Sequence, residues 1–420
     1  MKRILLAILL FGSLLPLLAC TSAAQKSMEQ GDTYFLQQKW DEAISEYGKA
    51  IAEDPELTDA YVKRGQAYAA KEDWDSAISD FNKTVELDPT SVAAYSQRAA
   101  IYHAQGQWDL ALGDLNRVIE MDPTSAAAYS NRGWTYASKG ELDLALADLS
   151  KAIELDPNLA EAYYNRGLVY NNQAKWEMGI ADLTRAIEFD PTNYTAYNDL
   201  GSAYSNTGKL DLALIYLGKA IELRPDYAMA YFNRGRVYTE QGQQDEAIAD
   251  FSKALELEPN LVAVGQELAD LLSNRGYAYR ASGQNDLAEA DLKRAIEVDP
   301  TLAVAYFQLG SLYNSTGQWD LALTNLGKAI ELDPDFPNAY VNRGYSHLAA
   351  GDLEKAIADY TKAIELDNVY ALAYFNRGLA YFNLGDPVHA VADFDKVIQI
   401  SEDPELVSMA KDRISEIQRQ

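Results

Sequence analysis

Four side-chain populations in this 420-residue sequence could do chemistry, and their spacing limits what that chemistry is. Cys20 is the only cysteine, so it can be acylated but cannot close an intramolecular disulfide or a multi-thiolate metal site. The three histidines, His103, His347 and His389, form no zinc-type pair. Asparagines recur as a row: Asn131, Asn165, Asn233, Asn274, Asn342 and Asn376. An arginine follows each of them directly: Arg132, Arg166, Arg234, Arg275, Arg343 and Arg377. An amide offers a donor and an acceptor together, which suits it to grip a peptide backbone. A guanidinium offers a planar fork that fits a carboxylate. The sequence contains no nucleophile elbow, phosphate loop or calcium loop, so these residues point to binding rather than catalysis, with no cofactor or metal.

The elements that must position these rows repeat with a period of 34 residues. Units begin at Ala24, Thr58, Val92, Ala126, Ala160, Tyr194 and Ala228, and then, after a seven-residue insertion at 262–268, at Ala269, Ala303, Pro337 and Ala371. Unit position 8 is Gly in ten units, with Ala99 the exception. Position 11 is Tyr in ten, with His347 the exception, and position 20 is Ala in ten, with Gly179 the exception. Small residues at positions 8, 20 and 27 let two helices approach closely, and Gly at position 15 in eight units suits a left-handed stop after the first helix. No unit buries its apolar face alone, so the units must stack.

This pattern resembles the tetratricopeptide repeat, two antiparallel helices per unit. The resemblance covers Ala24 to Pro404 and implies an all-α, right-handed superhelical solenoid of about eleven helix-turn-helix repeats (24–403), closed by a C-terminal capping helix over 404–420. Seven inserted residues nearly preserve helical phase, so the first helix of the eighth unit is expected to protrude by about two turns rather than break. In the family the first helices line a concave groove, approached by positions 2, 5, 6, 9 and 12. The asparagines all fall at position 6. They resemble the asparagine ladder of other solenoids that hold extended peptides; the alternative is that they bond neighbouring backbone. Trp134, Tyr164 and Phe232 are aromatic groove candidates beside them, able to grip peptide side chains or stack on sugar rings. The family's carboxylate clamp needs Lys at position 5 and Asn at position 9, and neither occurs, which argues against heat-shock C-terminal tails as ligands. His103, at position 12, is the one histidine with a plausible site role.

Covariation among the units separates the arginine row from the asparagine row. Position 7 is Arg in eight units, and position 23 is Asp in the same eight. Where the Arg becomes Leu200 or Leu309, the Asp becomes Tyr216 or Asn325. An Arg–Asp pair joining the two helices of each unit is the simplest account, which makes the arginines structural.

The N-terminus reads as an address. Lys2 and Arg3 precede an apolar stretch ending Leu17-Leu18-Ala19-Cys20, short for a bilayer-spanning helix. The ending resembles the lipobox of bacterial lipoproteins, which implies a signal peptide over 1–19, acylation such as palmitate on Cys20, and a short tether over 20–23. An ordinary secretory signal is the alternative. A first helix starting near Ser27 would hold the repeats beside the membrane. The resemblance implies an extracytoplasmic envelope location, the outer membrane in a diderm and otherwise the outer face of the cell membrane. With 36 Lys and Arg against 63 Asp and Glu, the formal charge of -27 excludes a nucleic-acid partner and contact with anionic lipid beyond the anchor itself. The sequence therefore reads as a non-enzymatic scaffold for extended or basic segments of other proteins. A glycan- or peptidoglycan-binding module and a self-assembling structural protein, hence a homo-oligomer, stay open.

Overall fold

The structure, a computed structural model, describes residues 22–419; the leader and Cys20 lie outside the described residues. Within them the chain forms 23 helices and no strand, in consecutive helix-turn-helix pairs, as the all-α repeat reading requires. Two compact units divide it, one ending at Asp199 and the other beginning at Leu200. In the first, α1 (Ala23–Leu36) packs on α2 (Trp40–Glu53) and α3 (Thr58–Ala70) on α4 (Trp74–Leu87). The pairs α5 (Val92–Ala104) with α6 (Trp108–Met121), α7 (Ala126–Lys139) with α8 (Leu142–Leu155), and α9 (Ala160–Asn172) with α10 (Trp176–Phe189) follow. Helix α1 starts earlier than Ser27, because the Ser22 hydroxyl accepts from the Gln25 amide at 3.0 Å and caps the helix there.

The second unit repeats the theme. Its pairs include α13 (Ala228–Glu240) with α14 (Gln244–Leu257), α15 (Val262–Ala281) with α16 (Asn285–Val298), and α17 (Ala303–Ser315) with α18 (Trp319–Leu332). Last comes α21 (Ala371–Leu384) with α22 (Pro387–Ile400), against which α23 (Pro404–Ile417) lays Leu406, Ala410, Ile414 and Ile417. Helix α15 is continuous over 20 residues, but its added turns do not simply protrude. Val264 and Leu268 are fully buried and join the core that includes Val298 and Leu302. Spaced four apart, they extend the apolar stripe of the helix, while Val262, Ala263 and Gln266 of the insertion stay exposed.

Two backbone features make the unit. Position 15 is left-handed in all eleven repeats, glycine in eight of them, while Gln38, Glu72 and Ala174 adopt the same conformation at φ 57°, 61° and 54°. In the ten repeats with glycine at position 8, the side chain at position 24 occupies the space a Cβ would need. A Cβ on Gly65 would lie 2.8 Å from the Phe81 ring, and one on Gly133 would lie 2.7 Å from Leu149 Cγ. Gly179, the lone departure from Ala at position 20, has a local cause. The Asn171 side chain turns into that space, and a methyl there would lie 1.9 Å from its Oδ1.

Candidate functional site

The arginine row is consumed by structure. All eight position-7 arginines make a bidentate pair with the position-23 aspartate of the same repeat, Nε to Oδ2 and Nη2 to Oδ1. Arg166, for example, donates to Asp182 at 2.7 and 2.9 Å. The aspartates are buried, and their hydrogen bonds hold the guanidinium pKa values above the ordinary arginine range. The remaining nitrogen often reaches the preceding repeat: Arg98 to Asn82, Arg132 to Asn116 and Arg166 to Ser150. Tyrosines at positions 4 and 11 lie against the same cations, as Tyr129 and Tyr136 do against Arg132 at 5.4 and 6.0 Å. These tyrosines thus shield a buried fork as well as filling space. In the sixth repeat, which lacks the pair, Tyr204 stacks on Tyr216 at 5.3 Å.

The asparagine row is not uniform. Asn131 and Asn274 are exposed, Asn233, Asn342 and Asn376 are half-buried, and Asn165 is buried. Asn342 donates to the Asn338 carbonyl at 2.9 Å and accepts from Ser311 at 3.3 Å, so its amide is engaged within the fold. The aromatic candidates also differ. Phe232 packs on the core of the second unit, 5.9 Å from the Phe251 ring and with Arg236 over its face. The Tyr164 hydroxyl donates to Asp199 Oδ2 at 2.9 Å. Burial pushes the Asp199 carboxyl up, opposed by the hydrogen bonds from Tyr164 and Asn198. Trp134 alone of the three is an open ring, 37% exposed.

Around Trp134 the first unit builds two pockets. A pocket of about 160 Å³ between α5 and α7 is lined by Ser96, Ala99, Ala100, His103, Asn131, Trp134 and Thr135, with Leu115 of α6 as floor. His103 stacks on Trp134 at 6.0 Å, and its Nδ1 lies 3.1 Å from Thr135 Oγ1. Thr135 gives its one proton to the Asn131 carbonyl at 2.8 Å, so its oxygen accepts from Nδ1–H and His103 Nε2 is left as an acceptor. Burial pushes the His103 imidazole below its ordinary pKa, favouring that neutral form. On the other side of the same indole lies a second pocket of about 170 Å³, lined by Trp134, Ala137, Ser138, Leu142, Leu168, Val169 and Asn172. Of the asparagine row, Asn131 shares a pocket with an aromatic of the expected set, Trp134.

Some surface features escape the sequence reading. Leu110, Leu144 and Met178 at position 19 of successive second helices are each about half exposed, a row hidden in the sequence because position 19 also holds Glu and Lys elsewhere. A cleft of about 480 Å³ opens beside the insertion, between Leu255, Val262, Gly265 and Val298. Among the described residues no cluster of His, Cys, Asp or Glu could hold a metal ion, and no helix is long and apolar enough to cross a membrane.

Comparison with known families matches the one described as TPR repeat over residues 31–72, 65–106, 99–140, 133–173, 276–314, 310–351 and 344–385, more than half of the chain. Descriptions reading tetratricopeptide repeat match 160–193, 228–261 and 371–404, and also 194–227. No curated protein matches the chain significantly. Among solved structures the chain is similar to YrrB, described as a TPR protein with an unusual peptide-binding site, at 29% identity over 46% of this chain and 95% of that one, TM-score 0.35. It is also similar to the C-terminal part of a TPR repeat-containing protein from Cytophaga hutchinsonii, at 22% identity over 59% and 99% of the two chains, TM-score 0.48. MamA from Desulfovibrio magneticus RS-1 matches at 20% identity over 41% and 97%, TM-score 0.38.

Proposed function

Since the chain belongs to the tetratricopeptide repeat family, we propose that it is a non-catalytic scaffold whose first-helix faces hold extended segments of partner proteins. The observation that carries this reading is the contrast between the two polar rows. The arginines are wholly spent inside the repeats, whereas Asn131 and Asn274 keep exposed amides on the first helices. Each amide–backbone bond would contribute about 1 kcal/mol net, so affinity must come from several of them with neighbouring apolar contacts. We place this scaffold at a bacterial envelope, anchored through lipid on Cys20. Mass spectrometry of the N-terminal peptide tests that assignment: acyl mass on Cys20 supports it, and a free thiol in the membrane fraction refutes it.

The binding reading is tested by cross-linked capture from an envelope extract, using the chain from residue 20 onward with Cys20→Ser. The comparison bait carries Ala at Asn131, Asn274 and Asn376, since Asn342 is already bonded within the fold and Asn165 is buried. A partner lost from a still-folded comparison bait supports groove recognition. Capture of the same partners by both baits refutes it. A glycan reading is favoured by one observation, the exposed rings of Tyr277 and Tyr345 at position 9. Competition by purified glycan strands would then displace ligand, and Tyr277→Ala would weaken binding more than Asn274→Ala.

A further inference from the structure

We propose that the two pockets flanking Trp134 form one recognition element for an uncharged polyproline-II segment carrying two apolar side chains three residues apart. The proposal rests on the groove-binding reading above and narrows it to a ligand class. Size comes first. At about 160 and 170 Å³ the pockets fall below the range of small-molecule sites. They match the engineered protein cavity of about 150 Å³ that admits benzene, so each takes one side chain up to the bulk of a leucine, proline or phenyl ring.

Charge comes second. The fifth repeat, which walls the second pocket with Leu168, Val169 and Asn172, carries a single charge at the groove positions, Glu161. In a chain of formal charge -27, those positions (2, 5, 6, 9 and 12) of the third and fourth repeats carry no Asp, Glu, Lys or Arg. His103 is the one titratable group there, and burial favours its neutral form. This stretch therefore matches a segment without charges, unlike the acidic surface that surrounds it.

Spacing comes third. The pockets lie on either side of one helix, α7, so their separation is that of neighbouring helices, about 8–10 Å. In a β-strand, side chains on one face recur every two residues, about 6.7 Å, or every four, about 13 Å. Polyproline II has three residues per turn and rises about 3.1 Å per residue, so residues i and i+3 share a face about 9.3 Å apart. Of these two extended conformations, polyproline II is the one whose repeat matches that separation and so places two side chains astride Trp134. It also leaves the ligand backbone without internal hydrogen bonds, so its amides and carbonyls are free for the exposed Asn131 amide and for His103 Nε2.

Panning a random dodecapeptide phage library on the chain from residue 20 with Cys20→Ser tests this, because that chain carries every described helix. The selected sequences should share two apolar residues separated by two positions, enriched in proline between them and free of acidic residues. Two blocking variants are supplied by the protein itself. Ala100→Trp puts at position 9 the residue that the next repeat already carries there, and Ala137→Phe puts at position 12 the residue found at Phe382. Each should fill one pocket, keep the helical circular dichroism of the parent, and weaken a synthetic selected peptide at least tenfold. Selected peptides with another spacing, no enrichment at all, or binding unchanged by both variants would overturn the proposal. If such binding is instead lost on Ala substitution at Asn274 and Asn376, the scaffold reading survives and the two-pocket element does not.

Discussion

Arg166→Leu isolates what the arginine row contributes. In the fifth repeat the guanidinium donates two hydrogen bonds to Asp182, which is 6% exposed, a third to Ser150 Oγ at 3.1 Å, and lies 5.8 Å from the Tyr163 ring. Removing it strands a buried carboxylate, a loss of about 3–5 kcal/mol. The sixth repeat shows the compensated form, with Leu200 at position 7 and Tyr216 at position 23. Adding Asp182→Tyr to Arg166→Leu removes the stranded charge, and well-packed apolar replacement of a buried pair is often near neutral, so about 2–4 kcal/mol should return. Urea unfolding followed by helical circular dichroism reads the global effect. Hydrogen exchange in α9 and α10 reads the local one, because a repeat array need not unfold in one step. A double variant no more stable than Arg166→Leu alone would show that the covariation does not reflect pairing.

The left-handed positions predict gains: Ala174→Gly should stabilise the fifth repeat by about 0.5–1 kcal/mol, read as a raised urea midpoint, since a Cβ costs about 1–2 kcal/mol there and glycine returns part of that as chain entropy. Gly179→Ala should destabilise by about 1–3 kcal/mol through its clash with Asn171, and Asn171→Ala in the same chain should recover this while also removing a buried Oδ1 that has no partner. For pH, burial lowers the pKa of both His103 and His347 in the folded chain, so the unfolded chain binds protons first as pH falls below about 6.5. Their contribution is therefore complete above that pH and declines below it. Urea midpoints should fall from pH 7.5 to pH 5, and less so in a His103→Gln/His347→Tyr variant.

What was legible in the sequence was what the repeat enforces eleven times. Positions 7 and 23 change together because a buried guanidinium tolerates only a carboxylate opposite it, and each unit is a separate trial of that rule. Position 15 is glycine where the chain turns left-handed, and three exceptions keep the turn because the surrounding pair of helices fixes it. The insertion was legible as a helix through its phase, but not its burial, because Val264 and Leu268 join a core contributed by other helices, Phe251 and Ala254 of α14 and Ala295 and Val298 of α16 among them. The asparagine row was legible as a row and misleading as a set. Whether an amide at position 6 faces water or backbone depends on side chains of the neighbouring repeat, as Ser311 is for Asn342.

That division explains why the candidate site sits where the repeat is broken. Positions 8, 20 and 24 are locked by helix contact, and positions 7 and 23 by the ion pair, so selection for a ligand can act only on the remaining groove positions or on tolerated departures. The pocket beside Trp134 combines one departure, Ala99 for the usual glycine, with residues at variable groove positions: small Ala100 and Trp134 at position 9 and His103 at position 12. Any one of them could be drift. Their convergence on one uncharged pocket, with the histidine held in a single tautomer by Thr135, is difficult to ascribe to packing, because the other repeats pack the same helices without them.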